Sequence, residues 1–118
     1  MKVGIDIQNC EGLKKFIGTE KMKKIFSPAE IDYIAEKNNN AETATGLYSA
    51  KEALFKAVGV GVMPSKLPDI EIAHKETGAP FYKLSRVLAN ELNVIEGDLS
   101  LSISHSSGVA VAVCIIYD

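Results

Sequence analysis

The segment KEALFK, Lys51 to Lys56, places a carboxylate between two lysines in a stretch otherwise made of Ala, Leu, Phe and Val. At about 100° per residue, Leu47, Leu54 and Val58 share one helix face, and Lys51 falls on that same arc. Glu52 and Lys56 sit four apart on the neighbouring face. They suit a surface ion pair, worth a few tenths of a kcal/mol. They also suit chemistry if a second carboxylate joins them. The candidate is Asp6, in the middle of VGIDI, where an aspartate is disfavoured in a strand. Asp6 either meets solvent or a loop donor, or it is buried and needs a cation. Two carboxylates with open positions fit magnesium, which keeps waters and takes its other ligands from substrate phosphates. Lysines nearby then hold those phosphates as point charges. Lys51 has a simpler use: its stem can lie along the apolar stripe while the ammonium reaches water. His105 closes an alternating stretch, where a structural histidine is the ordinary outcome, and His74 has no evident partner. The sequence contains no G-x-x-x-x-G-K-[ST], H-E-x-x-H or G-x-S-x-G.

These residues need elements to hold them. KVGIDI alternates as a strand, with Val3, Ile5 and Ile7 on one side and Gly4 and Asp6 on the other. Helical turns are expected through CEGLKKFIG and TEKMKKIF. SPAE is a helix start, with Ser27 as N-cap, Pro28 in the first turn and Glu30 three residues after the cap. That helix is expected to reach about Lys37 and end in NNN. The next runs from about Glu42 to Val58 and stops at Gly59. DIEIAHK reads as a strand, with Ile70, Ile72 and His74 on one face, and ETGAP as a turn. YKLSRVLANELN is expected to be an amphipathic helix with Leu84, Val87, Leu88 and Leu92 as its stripe. DLSLSISHS and GVAVAVCIIY form an antiparallel hairpin about a short turn. The second of these strands is apolar on both sides, as in a strand buried on both faces. Helices cover one face of the sheet, and the other is left for another subunit. The fold class expected is α+β, with a mainly antiparallel sheet and packed helices.

The chain of 118 residues is expected to form one domain over residues 1–118. At 47% hydrophobic and 24% charged it has an ordinary globular composition. Cys10 and Cys114 lie far apart without a C-x-x-C, which points to reduced thiols and a cytoplasmic protein. No apolar run has signal-peptide or membrane-span length, so no membrane role is expected. Net charge is −2, but residues 1–26 hold six lysines against three carboxylates, which leaves −5 for the rest. A basic segment on an acidic chain suits an acidic partner surface better than nucleic acid. The plain alternative is a solvated lysine face.

Five fragments in order resemble the holo-[acyl-carrier-protein] synthases, the short 4′-phosphopantetheinyl transferases. VGIDI resembles the family's first strand with its aspartate, and IFSPAEIDY its next helix. YSAKEALFKAVGVG is similar to the signature helix K-E-A-x-x-K-A-x-G. IEI and TGAPFYKL resemble its second strand and glycine–proline turn, and LSISHSSGVAVAV its closing hairpin. The resemblance covers most of the chain. It departs at Leu47, which stands where the family often has arginine, and at Asn9, which stands where it often has glutamate.

The resemblance implies transfer of the phosphopantetheine arm of coenzyme A to a serine of apo acyl carrier protein, releasing adenosine 3′,5′-bisphosphate. It implies Mg2+ held by Asp6 and Glu52, with Lys56 on the phosphates or leaving group. Lys51 is implied at phosphate, or only as support for the helix. Gly78, Pro80 and His105 are implied near the coenzyme. Lys14, Lys15, Lys21 and Lys24 are implied as the docking surface for the acidic carrier. A homotrimer with active sites between subunits is implied too. The general base stays open between Asp6, Glu52 and a metal-held water. The competing readings are a non-catalytic module that binds carrier protein or nucleotide, and a structural oligomer.

Overall fold

A computed structural model describes residues 1–117. Its main sheet has the order β1 (Lys2–Asn9), β5 (Val109–Ile116), β4 (Leu99–Ser106), all antiparallel. Strand alternation gives this sheet two unlike faces. The inner face carries Gly4 and Asp6 of β1, Ala110, Ala112 and Cys114 of β5, and Leu101 and Ile103 of β4. The 18-residue helix α3 (Ala41–Val58) lies across it. The inner residues of the two strands nearest the helix are small, and so are Gly46, Ala50, Ala53 and Ala57 on α3. Small residues on both surfaces let helix and sheet approach closely.

The contact is tightest at Gly4. A β-carbon there would lie 2.1 Å from the Ala53 carbonyl oxygen and 2.4 Å from the Ala57 nitrogen. The outer face carries Val3, Ile5 and Ile7, which are 64%, 59% and 66% exposed, beside the half-buried valines of β5 and the serines of β4. Among the described residues no helix covers this face.

Local chemistry explains most element ends. Ser27 starts α2 (Pro28–Glu36) with a complete capping box. Asn40 caps α3 by accepting from the N–H groups of Glu42 and Thr43, and the preceding Asn38 and Asn39 take left-handed backbone angles that asparagine tolerates. Gly59 ends α3 at φ 90°. Expected turns near the N-terminus are a short α1 (Glu11–Lys14) and a 3-10 turn over Glu20–Lys24. A two-residue turn, Ser107 and Gly108, both at positive φ, joins β4 to β5.

One expectation needs correction. The stretch from Tyr82 to Asn93 is not one helix. Pro80–Leu84 forms β3, paired antiparallel with β2 (Ile70–His74) in a separate two-stranded sheet. The helix α4 covers only Arg86–Leu92. Ser85 caps it by accepting the Leu88 N–H, so the chain turns between strand and helix. Tyr82 points into the core and donates to the Ala50 carbonyl at 2.6 Å. Val87, expected in the apolar stripe, is exposed, while Leu88 and Leu92 are buried. Pairing with β2 and the anchor of Tyr82 outweigh the helical spacing of the leucines.

Candidate active site

Gly4 and Asp6 share one side of β1, so the close approach at Gly4 fixes where Asp6 meets α3. Asp6 is 3% exposed, and both of its oxygens are engaged. Oδ1 accepts from the Lys56 ammonium at 3.1 Å, and Oδ2 from the Gln8 amide at 3.0 Å. Gln8 is the next inward residue of β1. Its Nε2 also donates to Glu52 Oε2 at 2.9 Å. The other Glu52 oxygen accepts from the Tyr48 hydroxyl at 2.6 Å. The expected pairing of Asp6 with Glu52 is thus present as geometry: two carboxylates from different elements converge on one donor. The Lys56 ion pair runs to Asp6 across the helix–strand boundary, rather than along the helix to Glu52.

Electrostatics follow from this crowding. Burial pushes the Glu52 carboxyl above its ordinary range, the Tyr48 hydrogen bond pulls it back, and the Asp6 charge pushes it up again. Burial, then the bond to Glu52, raises the Tyr48 phenol well above its usual value, so it stays a proton donor. Two facing carboxylates beside a half-exposed lysine are a donor set that could hold a cation. Such a site fits magnesium, which needs only one or two carboxylates when phosphate oxygens supply the rest. Gln8 and Tyr48 were not singled out from the sequence. The available signals were the shared strand parity of Gln8 with Asp6 and the i,i−4 position of Tyr48 relative to Glu52.

Lys51, considered for phosphate, sits elsewhere. Its side chain is wholly buried. The ammonium donates to Glu30 Oε1 at 2.6 Å and to the Leu67 carbonyl at 2.7 Å, with the Phe26 ring 5.4 Å away. The ammonium reaches neither the surface nor an open cleft. Glu30 also accepts from the backbone N–H groups of Ser27 and Ile72. Burial lowers the Lys51 ammonium and raises the Glu30 carboxyl, and each charge opposes the other's shift. Lys51 therefore supports the helix by tying α3 to α2 and β2.

Gly78, Pro80 and His105 come together, along one cleft of about 200 Å³ with Glu42 and Leu47. His105 Nδ1 meets Glu42 Oε2 at 2.5 Å, and the other Glu42 oxygen accepts the Gly108 N–H at 2.9 Å. His74 lines the same cleft and stacks on Tyr33 with ring centroids 4.1 Å apart. Glu42 and Glu52 are ten residues apart on α3, roughly 15 Å of helix rise. Leu47 lies between them.

The four lysines expected to dock a partner are all exposed. Lys15 and Lys21 hold their ammonium groups 5.6 and 5.3 Å from the Phe16 ring centre. Lys14 is offset by Glu11 at 3.6 Å. Lys21 and Lys24 rim an apolar groove of about 650 Å³. A second hollow of about 330 Å³ shares its walls Phe16, Ile25, Pro64 and Leu67 and reaches Gln8 and Tyr48. The two hollows adjoin along these walls, an apolar path that runs from the lysine rim as far as Gln8 and Tyr48, the side chains that hydrogen-bond the carboxylates. No helix among the described residues is long and apolar enough to cross a membrane.

The sequence and the fold both match known proteins. Residues 2–114 match the 4′-phosphopantetheinyl transferase superfamily. A holo-[acyl-carrier-protein] synthase from Fusobacterium nucleatum subsp. nucleatum is 38% identical, over 97% of this chain and 96% of the relative. One from Caldicellulosiruptor bescii is 39% identical, over 96% and 94%. Among solved structures, the Helicobacter pylori holo-[acyl-carrier-protein] synthase in complex with coenzyme A superposes with a TM-score of 0.80 at 33% identity, over 98% of this chain and 99% of that one. The Bacillus anthracis synthase in complex with CoA (3′,5′-ADP) gives 0.77 at 30%, over 98% and 94%.

Proposed function

From the premise that this chain belongs to the 4′-phosphopantetheinyl transferase superfamily, we propose that it transfers the phosphopantetheine arm of coenzyme A to a serine of apo acyl carrier protein. The observation that carries this reading is the convergence of the Asp6 and Glu52 carboxylates on the Gln8 amide, with Lys56 beside them. The serine oxygen bonds to the phosphorus that carries the pantetheine arm. The P–O bond to the other phosphate breaks, and adenosine 3′,5′-bisphosphate leaves. The serine proton goes to a base at the carboxylate pair.

Asp6 and Glu52 are the groups that would hold magnesium, which when bound supplies charge neutralisation at the pyrophosphate. Lys56, half exposed and attached to the site only through Asp6, is free to turn its ammonium toward the phosphates or the leaving group. The apolar path suits the pantetheine arm, because burial of its methylene and methyl groups there excludes water from the reacting phosphorus. Gly78, Pro80 and His105 are assigned to the adenosine end of coenzyme A, in a cleft they share with Glu42 and His74. Lys14, Lys15, Lys21 and Lys24 are assigned to the acidic carrier. Opposite potentials speed that encounter and make it salt-sensitive.

The bare outer face of the sheet supports a homotrimer with sites shared between subunits, since three exposed apolar residues on one strand gain from being covered. The free thiols of Cys10 and Cys114 suit a reducing compartment, and the reading places the enzyme in the cytoplasm.

The test is intact mass spectrometry of apo acyl carrier protein after incubation with this protein, coenzyme A and magnesium. A phosphopantetheine mass gain is expected. It should be lost with chelator and in the Asp6→Ala and Glu52→Ala variants. No gain with several carriers and folded protein would reject transfer and leave the non-catalytic binding module. A gain that survives chelator and both variants would reject the site assignment.

A further inference from the structure

The carboxylate pair is not open. Its two facing oxygens, Asp6 Oδ2 and Glu52 Oε2, both accept from the single amide nitrogen of Gln8, at 3.0 and 2.9 Å. Both acceptors are carboxylates, so the amide must present its NH2 and not its oxygen. The NH2 therefore lies between the two oxygens on which a bridging cation would also rest. It satisfies their lone pairs and offsets their repulsion with partial positive charge. The outer oxygens are held by Lys56 and Tyr48, on the far sides of the two groups. We propose that Gln8 is a latch: it closes the Asp6–Glu52 pair in the metal-free protein, and a divalent cation enters only by expelling its amide.

This inference rests on the reading of Asp6 and Glu52 as metal ligands. The latch has two consequences that a merely structural glutamine would not share. Gln8 lowers the affinity of the pair for metal, because two charge-assisted hydrogen bonds must break on entry. It also stabilises the metal-free protein, because without it the two facing oxygens have no donor between them. Phosphate oxygens arriving with the metal add ligands that the amide cannot offer, so the latch favours loading of metal and coenzyme together over loading of metal alone. Gln8 lies on a strand, so only its side chain has to swing, and the hollow lined by Gln8, Asn9 and Tyr48 gives it space.

The experiment measures Mn2+ binding by electron paramagnetic resonance, without coenzyme, in wild-type protein and in Gln8→Leu and Gln8→Asn. Thermal melts are run in chelator and in Mg2+. Leucine removes the amide, and asparagine is too short to span both carboxylates, so either serves if the other fails to fold. Expected is Mn2+ binding about tenfold tighter in the variants, equivalent to about 1.4 kcal/mol. A lower melting temperature in chelator and a larger upward shift with Mg2+ are expected as well. Unchanged affinity in both folded variants would overturn the latch. Weaker affinity would overturn it too, and would mean that the amide oxygen serves as a ligand. If folded wild-type protein binds no Mn2+ and behaves as Asp6→Ala does, the metal-ligand reading itself falls and takes the latch with it.

Discussion

Gly4 lies so close to Ala53 that a β-carbon on it would be 2.1 Å from the Ala53 carbonyl oxygen. This contact seats β1 on α3 two residues from Asp6 and one residue from Glu52. Gly4→Ala must push strand and helix apart, since backbone cannot yield as a flexible side chain can. We expect a loss of about 1–3 kcal/mol in urea unfolding, with weaker Mn2+ binding because the carboxylates separate. Gly12→Ala is the control: nothing lies within 4 Å of a β-carbon there. Equal stability of the two variants would show that the close approach does not hold the site.

Lys51 and Glu30 form a buried pair whose partners come from α2, α3 and the backbone ahead of and within β2. Removal of one charge strands the other. Lys51→Met is expected to cost about 3–5 kcal/mol. Lys51→Met combined with Glu30→Gln should cost clearly less than the sum of the two single changes, because no lone charge remains and the amide oxygen still accepts from one of the two backbone N–H groups. Urea titrations of the four proteins give the coupling, and strict additivity would contradict the pair.

The turn between β4 and β5 is tied to the start of α3 through Glu42. The Gly108 N–H and then His105 hold the Glu42 carboxyl below its ordinary value near 4.5. A lowered folded value means that this stabilisation is complete above the unfolded carboxyl's value and is lost as pH falls through the folded one. The melting-temperature difference between wild type and Glu42→Gln should therefore be constant above about pH 5 and shrink below about pH 4.5. A difference that persists undiminished at lower pH would show that the carboxylate charge is not what anchors the turn.

Much of this architecture was legible because its signals are local. Ser27, Glu30 and Gly59 mark helix ends through contacts within one turn, and the Leu–Ser alternation of β4 needs only the strand period. The β3 strand was hidden because five residues give a weak alternation, while Leu84, Leu88 and Leu92 fit helical spacing. Ser85 was the missed punctuation. At the site, Asp6, Glu52 and Lys56 could be named from their residue types together with the family resemblance, but a glutamine and a tyrosine carry no such signal. Gln8 and Tyr48 became visible only when β1 and α3 were placed together. The Lys51–Glu30 pair joins residues 21 apart in sequence, so no periodicity could reveal it. Lys51 was read as reaching water, as binding phosphate or as supporting the helix, and only the last holds; the capping role read for Glu30 holds beside the ion pair.

Tyr48 is the last of the three groups around the carboxylates. Its hydroxyl donates to Glu52 Oε1 at 2.6 Å, from one helical turn before it, and the raised phenol keeps that proton at all working pH values. The bond fixes the Glu52 rotamer so that its other oxygen faces Asp6. Tyr48→Phe keeps the half-buried ring and removes only this bond. We expect stability within about 1 kcal/mol of wild type, because the lost partner is a carboxylate that still has Gln8. Transfer activity should fall about 10- to 100-fold, as is usual when the group that orients a metal ligand is lost. The fall should be steepest at low magnesium, where a poorly aligned Glu52 limits loading, and should narrow as magnesium is raised. A Tyr48→Phe enzyme with unchanged turnover at every magnesium concentration would show that Glu52 is oriented by the helix and strand alone.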